Sequence, residues 1–427
     1  MAIFAILKKS CMFSLKNTCI LFAMFSMVHI SKAQSPTTGQ GQRAEDVQLN
    51  TITTAVPFLM IGPDARGGGF AEVGAATDAD GSSIHWNPSK LAFVDKTFGV
   101  HLSYTPWLRA LVPDINLAYL SGYGRIGKKK QQTIGGSLRF FSLGNIQFTD
   151  QNGDFIRDFN PSEFALDVAY ARKLSKEFSG GIALRYIYSN LTGGVSVGGA
   201  ETKPGQAFAA DLSFYYNTKK VEIKNMKTEI SAGINFSNIG SKMAYTETNE
   251  KDFIPTNMRL GVGFKMHVDD HNSLGVYVDA SKLLVPTPPE YKLDEDGNPE
   301  LDSENNQVIS RGKDPNVGVP TGIFQSFGDA PGGTAEEFRE VNWSAGLEYF
   351  YNKQFGIRAG YFHEDASKGD RQFFTLGATI RYNVFGLDFA YLIPLKQQHP
   401  LANTLRFTLT FDFDSSKKKT EEGSTAE

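Results

Sequence analysis

The sequence predicts an all-β transmembrane barrel of fourteen antiparallel strands, and three observations carry that reading. Fourteen segments between Phe98 and Phe413 alternate apolar and polar side chains, which is the pattern of a half-buried strand and not of a helix. An amino-terminal leader marks export, and beyond it no apolar run approaches the ~18 residues of a membrane helix. Fourteen is also even, as single-chain bacterial barrels require.

Residues 1–33 carry Lys8, Lys9 and Lys16, an apolar stretch from Cys19 to Ile30, and Ser31-Lys32-Ala33 at the end. That order is a secretory signal peptide. Cys11 and Cys19 both lie within it, and neither follows the small and aliphatic residues of a lipoprotein signal. An exported chain without cysteine has no disulfide and needs a large hydrogen-bonded core. The formal charge is −3 and the leader takes four lysines with it, a mildly acidic balance that argues against nucleic acid.

Residues 34–97 are expected to form an amino-terminal segment and lumen plug. The chain is polar to Thr51 and then changes character through Pro57 to Ile61, Pro63 to Gly69 and His85 to Leu91. Asn87 before Pro88 is a helix cap followed by a first-turn proline. Too few apolar residues are present for a separate core, so a small helical plug containing Trp86, Asn87 and Pro88 is expected inside the barrel.

The fourteen strands are expected at Phe98 to Tyr104, Ile115 to Tyr123, Ile134 to Phe140, Phe164 to Tyr170, Phe178 to Tyr188, Phe208 to Tyr216 and Ile230 to Phe236. They continue at Met258 to Val268, Leu274 to Ala280, Val341 to Tyr349, Phe355 to Tyr361, Phe374 to Tyr382, Phe385 to Tyr391 and Leu405 to Phe413. In the last, Leu405, Phe407, Leu409, Phe411 and Phe413 share one face. Outer faces are aliphatic with terminal aromatics such as Tyr104, Tyr170, Tyr216, Tyr349, Tyr361, Tyr382 and Tyr391, as a lipid band between aromatic girdles requires.

The inner faces read as small and charged. Asp167, Asp211, Asp279, Glu348, Asp388 and Asp412 stand against Arg139, Arg185, Arg259, Lys265, Arg358, Arg381 and Arg406. Balanced charge favours cross-lumen ion pairs over a single-sign ring that selects ions. Soluble β-sheet proteins also alternate, but the leader and fourteen repeats weigh against one. Short connections such as 127–132, 172–177, 269–272, 352–354 and Asn383 read as periplasmic turns, and 142–163, 189–207, 238–257 and 281–340 as extracellular loops. The barrel thus spans 98–413, with 414–427 as a charged periplasmic tail.

Catalytic and metal motifs are weak. Gly122 to Gly127 matches a dinucleotide fingerprint, but another strand follows where a helix is needed. Gly194-Val-Ser196-Val-Gly198 matches a hydrolase elbow without its strand-to-helix context. Asp294, Asp296, Asn298 and Glu300 begin a calcium loop, yet Pro299 and Asn305 replace its glycine and closing glutamate. Asp150, Asn152 and Asp154 form a similar partial set. His101 and His267 face the lumen without a partner at metal-ligand spacing, as satisfied polar residues would. The chain is therefore expected to be no enzyme and to need no cofactor, although lipid or detergent in the lumen would be compatible.

Two connections are unexpectedly apolar. Trp107, Leu108, Leu111 and Val112 interrupt one loop; Leu283-Leu284-Val285 and Val317 to Phe327 flank the polar centre of another. Such residues mark contact surfaces or fold over the mouth as a lid. As contacts, Trp107, Leu108, Leu111, Val112, Leu284, Ile323, Phe324 and Phe327 are the candidates, and Thr334 with Glu337 suggests a capping box.

Pro63-Asp64-Ala65-Arg66, His85-Trp86-Asn87-Pro88, Trp107-Leu108-Arg109 and Gly328-Asp329-Ala330-Pro331-Gly332-Gly333 carry a resemblance that spans most of the mature chain. The chain resembles the FadL-type family of outer-membrane barrels and, within it, the PorV (LptO) family of the type IX secretion system of Bacteroidetes. Ser89, where alanine is common, and the extension from Ser415 to Glu427 depart from the pattern. The resemblance implies a Gram-negative outer-membrane carrier that docks on the lateral opening of a giant, SprA-like translocon barrel. It implies that cargo is taken by its C-terminal domain and passed to a sortase-containing attachment complex of PorU-, PorQ- and PorZ-like proteins. A FadL-type transporter of long-chain fatty acids or other hydrophobic molecules is the alternative, with Gly135-Gly136 and Gly180-Gly181 as places for a lateral bulge. Lipopolysaccharide deacylation, suggested by the second family name, lacks a residue set.

Overall fold

The computed structural model describes residues 49–108, 112, 114–127, 131–149, 155–194, 201–218, 221–223, 226–246, 251–295, 298–396 and 400–414. The leader, residues 34–48, the tail beyond Asp414, Arg109, Leu111, the Asp150 to Asp154 set, Ser196 and Asp296 lie outside the described residues.

The strands are β1 (Phe98–Pro106), β2 (Asn116–Ile126), β3 (Gln132–Ser142), β4 (Ile146–Thr149), β5 (Phe155–Phe159), β6 (Ser162–Lys173), β7 (Phe178–Asn190), β8 (Gly205–Asn217), β9 (Val221–Ile223) and β10 (Met226–Gly240). Then come β11 (Asn257–His267), β12 (Asn272–Leu283), β13 (Glu290–Tyr291), β14 (Ile309–Arg311), β15 (Asn342–Tyr351), β16 (Phe355–His363), β17 (Gln372–Tyr382), β18 (Phe385–Pro394) and β19 (Leu405–Phe413). Fourteen of them, all but β4, β5, β9, β13 and β14, form one antiparallel barrel in chain order. It closes where β1 meets β19, from Phe98 opposite Phe413 to Tyr104 opposite Phe407. Closure leaves no edge, so every strand satisfies its backbone groups between neighbours, the condition for sheet in a membrane.

The alternation has the expected consequence. In β1, Gly99, His101, Ser103 and Thr105 are buried inward while Phe98, Leu102 and Tyr104 are exposed outward. Outward aliphatics such as Leu184, 64% exposed, form a band suited to lipid. The strands of 9 to 15 residues reach the ~9–11 residues that a tilted transmembrane strand needs. Most extend past the apolar beat: β10 runs from Met226 to Gly240, against an expected core of Ile230 to Phe236.

Three details differ from the sequence expectation. The inner face also holds aromatics: Tyr119, Tyr123, Tyr215 and Tyr277 are buried there. Arg381 is exposed, its guanidinium 5.3 Å from the centre of the Phe350 ring. Neither glycine pair bulges. Gly135 and Gly181 sit in unbroken register, and a Cβ at either would run into Ile84 and Leu91, or into the backbone of Pro88 and Ser89. These glycines allow a close approach from inside. The register shift in the described barrel ladders falls instead between Phe236 and Ile239, opposite β8. There Asn238 takes φ +59°, a region asparagine tolerates better than most residues.

A charge placed on the outer face should be costly. Leu184→Arg, near the middle of β7, is expected to destabilise the barrel by about 2–4 kcal/mol in lipid, read from denaturant unfolding in vesicles. A soluble sheet protein would be nearly indifferent at so exposed a position.

Candidate functional site

Residues 55–94 fill the lumen. They form a 3-10 turn at Pro57–Met60, short helices at Ala65–Gly69 and Ser83–Trp86, and a second 3-10 turn at Pro88–Phe93. Asp64 caps the first helix, its Oδ2 accepting from Gly67 N–H at 2.9 Å, and its Oδ1 accepts from Trp86 Nε1–H at 2.6 Å. The indole is clamped so closely that a Cβ on Gly67 or Gly74 would enter its ring.

Asn87 has the expected capping role and a second one. Its Oδ1 accepts from Ser89 N–H at 3.1 Å, while Nδ2 donates to Ala75 O at 2.9 Å and to Phe214 O of β8 at 3.1 Å. Pro88 opens the turn that follows. Lys90, wholly buried, donates to Gly74 O at 2.7 Å and Thr77 Oγ1 at 2.8 Å. Side chains at Trp86, Asn87 and Lys90 thus tie the plug's own turns together.

Most of the inner charges are paired, but not across open space, while buried Arg139 bonds the carbonyl of Leu59 and His85 instead. Arg185 joins Asp167 and Asp211 on the adjacent strands, and Arg358 joins Glu348 at 2.8 Å and Asp388 at 3.0 Å. Other wall charges reach the plug: Lys265 meets Asp78 at 2.6 Å, and Arg406 meets Glu72 at 2.7 Å. Asp279 accepts from Gly74 N–H at 2.7 Å and Ala75 N–H at 2.8 Å, so a wall carboxylate satisfies plug backbone. The two lumen-facing histidines are satisfied polar residues, as expected: His101 contacts Asp412 at 3.2 Å and His267 contacts Glu229 at 2.7 Å. A cavity beside the register shift is lined mainly by polar groups, including His85, Arg185, Asn235, Asn238 and Arg259.

Toward the long-loop end the filling becomes apolar. Val56, Phe58 and Leu59 pack with Leu117, Phe141, Ile187, Met243 and Ile254, and Phe58 stacks on Phe141 at 6.1 Å. Trp107 is half-buried against this cluster, with the Arg406 guanidinium 5.8 Å from its ring. Leu108 packs with Ala71, Phe362, Phe373, Leu392 and Leu401. These two residues therefore form a lid over the plug.

The long loop divides its apolar residues in the same way. Leu284 is 1% exposed because the chain leaving β12 turns inward, where Leu284 N–H donates to Thr256 O at 2.8 Å. Leu284, expected as a contact, is thus covered in this conformation. In the helix Val319–Gln325, buried Gly322 lies against Phe253 and Pro286. Ile323 is half-buried, whereas Phe324 and Phe327 are 79% and 51% exposed. Val112 is also exposed. Phe338, missed in the sequence for want of an apolar neighbour, is 72% exposed on the helix Thr334–Arg339.

The capping box is not formed. Gly333 is the cap and no side chain bonds there. Glu337 instead accepts from the N–H groups of Asp329 and Ala330 at 2.8 and 2.9 Å and pairs with Lys282 at 3.0 Å. Glu340 bridges Lys282 and Lys368, and Glu336 pairs with Lys368. Partial burial raises the Glu336 carboxyl, but bonds from Lys368, Gly332 N–H and Asn50 outweigh it and hold the group below its ordinary range. This network fastens the long loop to the barrel rim. The calcium-like spacing makes a tight turn in which Asp294 accepts from Asn298 N–H at 2.8 Å, and Asp302 makes a similar turn further on, accepting from Glu304 and Asn306 N–H. Gly122 and Gly124 lie in β2, and β3 is the next described element.

A closed fourteen-stranded barrel, apolar outside and filled by its own amino-terminal segment, defines a plugged barrel protein of the Gram-negative outer membrane. A family model described as type IX secretion system protein PorV matches residues 43–290, more than half of the 427-residue chain. The chain belongs to the PorV family, and its class is that of a secretion or transport barrel, associated with type IX secretion components. No curated protein matches the chain.

Several solved structures are similar to it. The toluene transporter TodX of Pseudomonas putida is 10% identical, over 85% of this chain and 98% of that one, at a TM-score of 0.44. The toluene transporter TbuX of Ralstonia pickettii is 13% identical, over 83% and 98%, at 0.43. A FadL homologue of Pseudomonas aeruginosa is 12% identical, over 86% and 100%, at 0.39.

Asp64 is the expected weak point of the plug. Asp64→Ala removes a helix cap and strands the buried Trp86 N–H, and should weaken plug docking by roughly 2–4 kcal/mol. The readout is a lower temperature for the folded-to-unfolded mobility shift on gels. Asp64→Asn, whose single amide oxygen can accept from Gly67 N–H or from Trp86 Nε1–H but not from both, should recover at most part of the loss.

Proposed function

We propose that this chain acts as a carrier at the outer face of the type IX secretion system, taking cargo from the translocon by its C-terminal domain and delivering it to the sortase-containing attachment complex. The observation that carries this reading is the division of apolar loop residues. Trp107, Leu108 and Leu284 turn inward, whereas Phe324, Phe327 and Phe338 project from a loop fastened by its lysine-glutamate network. Exposed aromatics on a rigid support suit protein contact, because little side-chain order is lost on binding. Ile323 and Val112 border or extend that contact in this reading.

The partners in this reading are a giant SprA-like barrel, PorU-, PorQ- and PorZ-like attachment proteins, and cargo C-terminal domains, in keeping with a family tied to type IX secretion. Outer-membrane lipid surrounds the wall. Uptake of long-chain fatty acids or other hydrophobic molecules, the alternative, gains no support from a cavity lined by His85, Arg185, Asn235 and Arg259. Unbroken register at both glycine pairs also offers it no opening there.

The double substitution Phe324→Ala with Phe327→Ala tests the proposal. Loss of two anchoring aromatics, at about 2 kcal/mol each, should reduce co-purification with the giant translocon barrel more than tenfold and lower cargo export, with folding unchanged. Undiminished export and co-purification would remove these residues from the contact.

A further inference from the structure

The amino-terminal segment enters the barrel at one end and leaves at the other, doubling back between them, so that Ala71 packs with Phe362 and Phe373 near the entry end and Arg139 bonds both Leu59 and His85. Asn50 N–H donates to Ser367 O at 3.0 Å, and its Nδ2 donates to Pro288 O at 3.2 Å and Glu336 Oε1 at 2.9 Å. Ala55 N–H donates to Phe253 O at 2.9 Å. All four partners belong to connections at the same end of the barrel, the end where β1 finishes and β2 begins.

Further along, Arg139 donates to Leu59 O at 2.7 Å, and Asp279 holds Gly74 and Ala75. The segment then reaches the opposite end. The Lys173 ammonium lies 4.3 Å from the centre of the Phe93 ring, Lys96 pairs with Asp414 at 2.7 Å, and Thr97 N–H donates to Phe413 O at 2.9 Å. That end carries the tight connections β11–β12, β15–β16 and β17–β18. In outer-membrane barrels the tight turns are periplasmic.

We propose that Leu49–Thr54 is an extracellular strap: the chain enters its barrel from the cell-surface side, and the strap pins the long loop 281–340 to the turn at 364–371. Asn50 makes the link, because its one side chain joins Pro288 and Glu336 while its backbone holds Ser367. Lys368, on the same turn, closes the circuit to Glu336 and Glu340. The strap thereby shares the face on which Phe324, Phe327 and Phe338 stand. It depends on the orientation of the barrel and not on the identity of any cargo.

Cysteine labelling tests it in intact cells, since Cys11 and Cys19 are the chain's two cysteines and both lie in the leader. Leu49 is 71% exposed, so Leu49→Cys tolerates a probe. A membrane-impermeant maleimide should label Leu49→Cys and the loop variant Glu304→Cys without permeabilisation, and Asp414→Cys only after it. Labelling of Glu304→Cys but not Leu49→Cys in intact cells would overturn the extracellular strap. Labelling of Asp414→Cys alone in intact cells would reverse the barrel and overturn it too. For the pin, Asn50→Cys with Ser367→Cys should form a disulfide on mild oxidation. A correctly labelled protein that fails to form it would refute the link, whatever the result of an export assay.

Discussion

A sheet in lipid has to satisfy each of its backbone groups by closing on itself, and closure creates a lumen that fourteen strands are too many to fill with wall side chains alone. Everything else in this molecule answers that constraint. The wall supplies inward charges, glycines and alanines; the amino-terminal segment supplies turns, carbonyls and N–H groups. Asp279 on Gly74 and Ala75, and Arg139 on Leu59, are the same solution used with opposite sign. Buried charge is tolerated only where it is paired and hydrogen-bonded, and here most pairs lie along the wall, as Arg185 with Asp167 and Asp211 or Arg358 with Glu348 and Asp388, or join wall to plug. The result is a filled body, not a lined pore.

That filling decides where function resides. The apolar cluster of Val56, Phe58 and Leu59, covered by Trp107 and Leu108, seals the outer end. The long loop is fastened above by Lys282, Lys368 and three glutamates. Partly buried ion pairs of this kind favour a fixed arrangement more than they add stability. A loop held in this way can present Phe324, Phe327 and Phe338 without losing them into the barrel mouth, which is the property the proposed carrier role requires.

Much of this was legible from residue order. Leu405 to Phe413 could be nothing but a strand with two unlike faces, and fourteen such segments set the barrel. Strand ends were less legible, since apolar alternation stops at the lipid boundary while the ladder continues through polar residues such as Lys227 and Thr228. Inward tyrosines were missed because an aromatic at an alternating position looks the same whether it meets lipid or plug. Gly135 and Gly181 suggested bulges, but glycine marks close approach equally well, and the object approaching was forty or more residues away in the chain. Leu284 and Phe324 have the same hydrophobicity signal; only the path of the loop separates a buried anchor from an exposed one.

The central claim is that plug and wall contacts seal the lumen, so that the barrel works through its outer surface. Ion conductance of the purified full-length protein in a planar bilayer tests this most directly. The account predicts no sustained conductance steps under modest voltage. Steady ohmic conductance, at the level of an open fourteen-stranded pore, would contradict it.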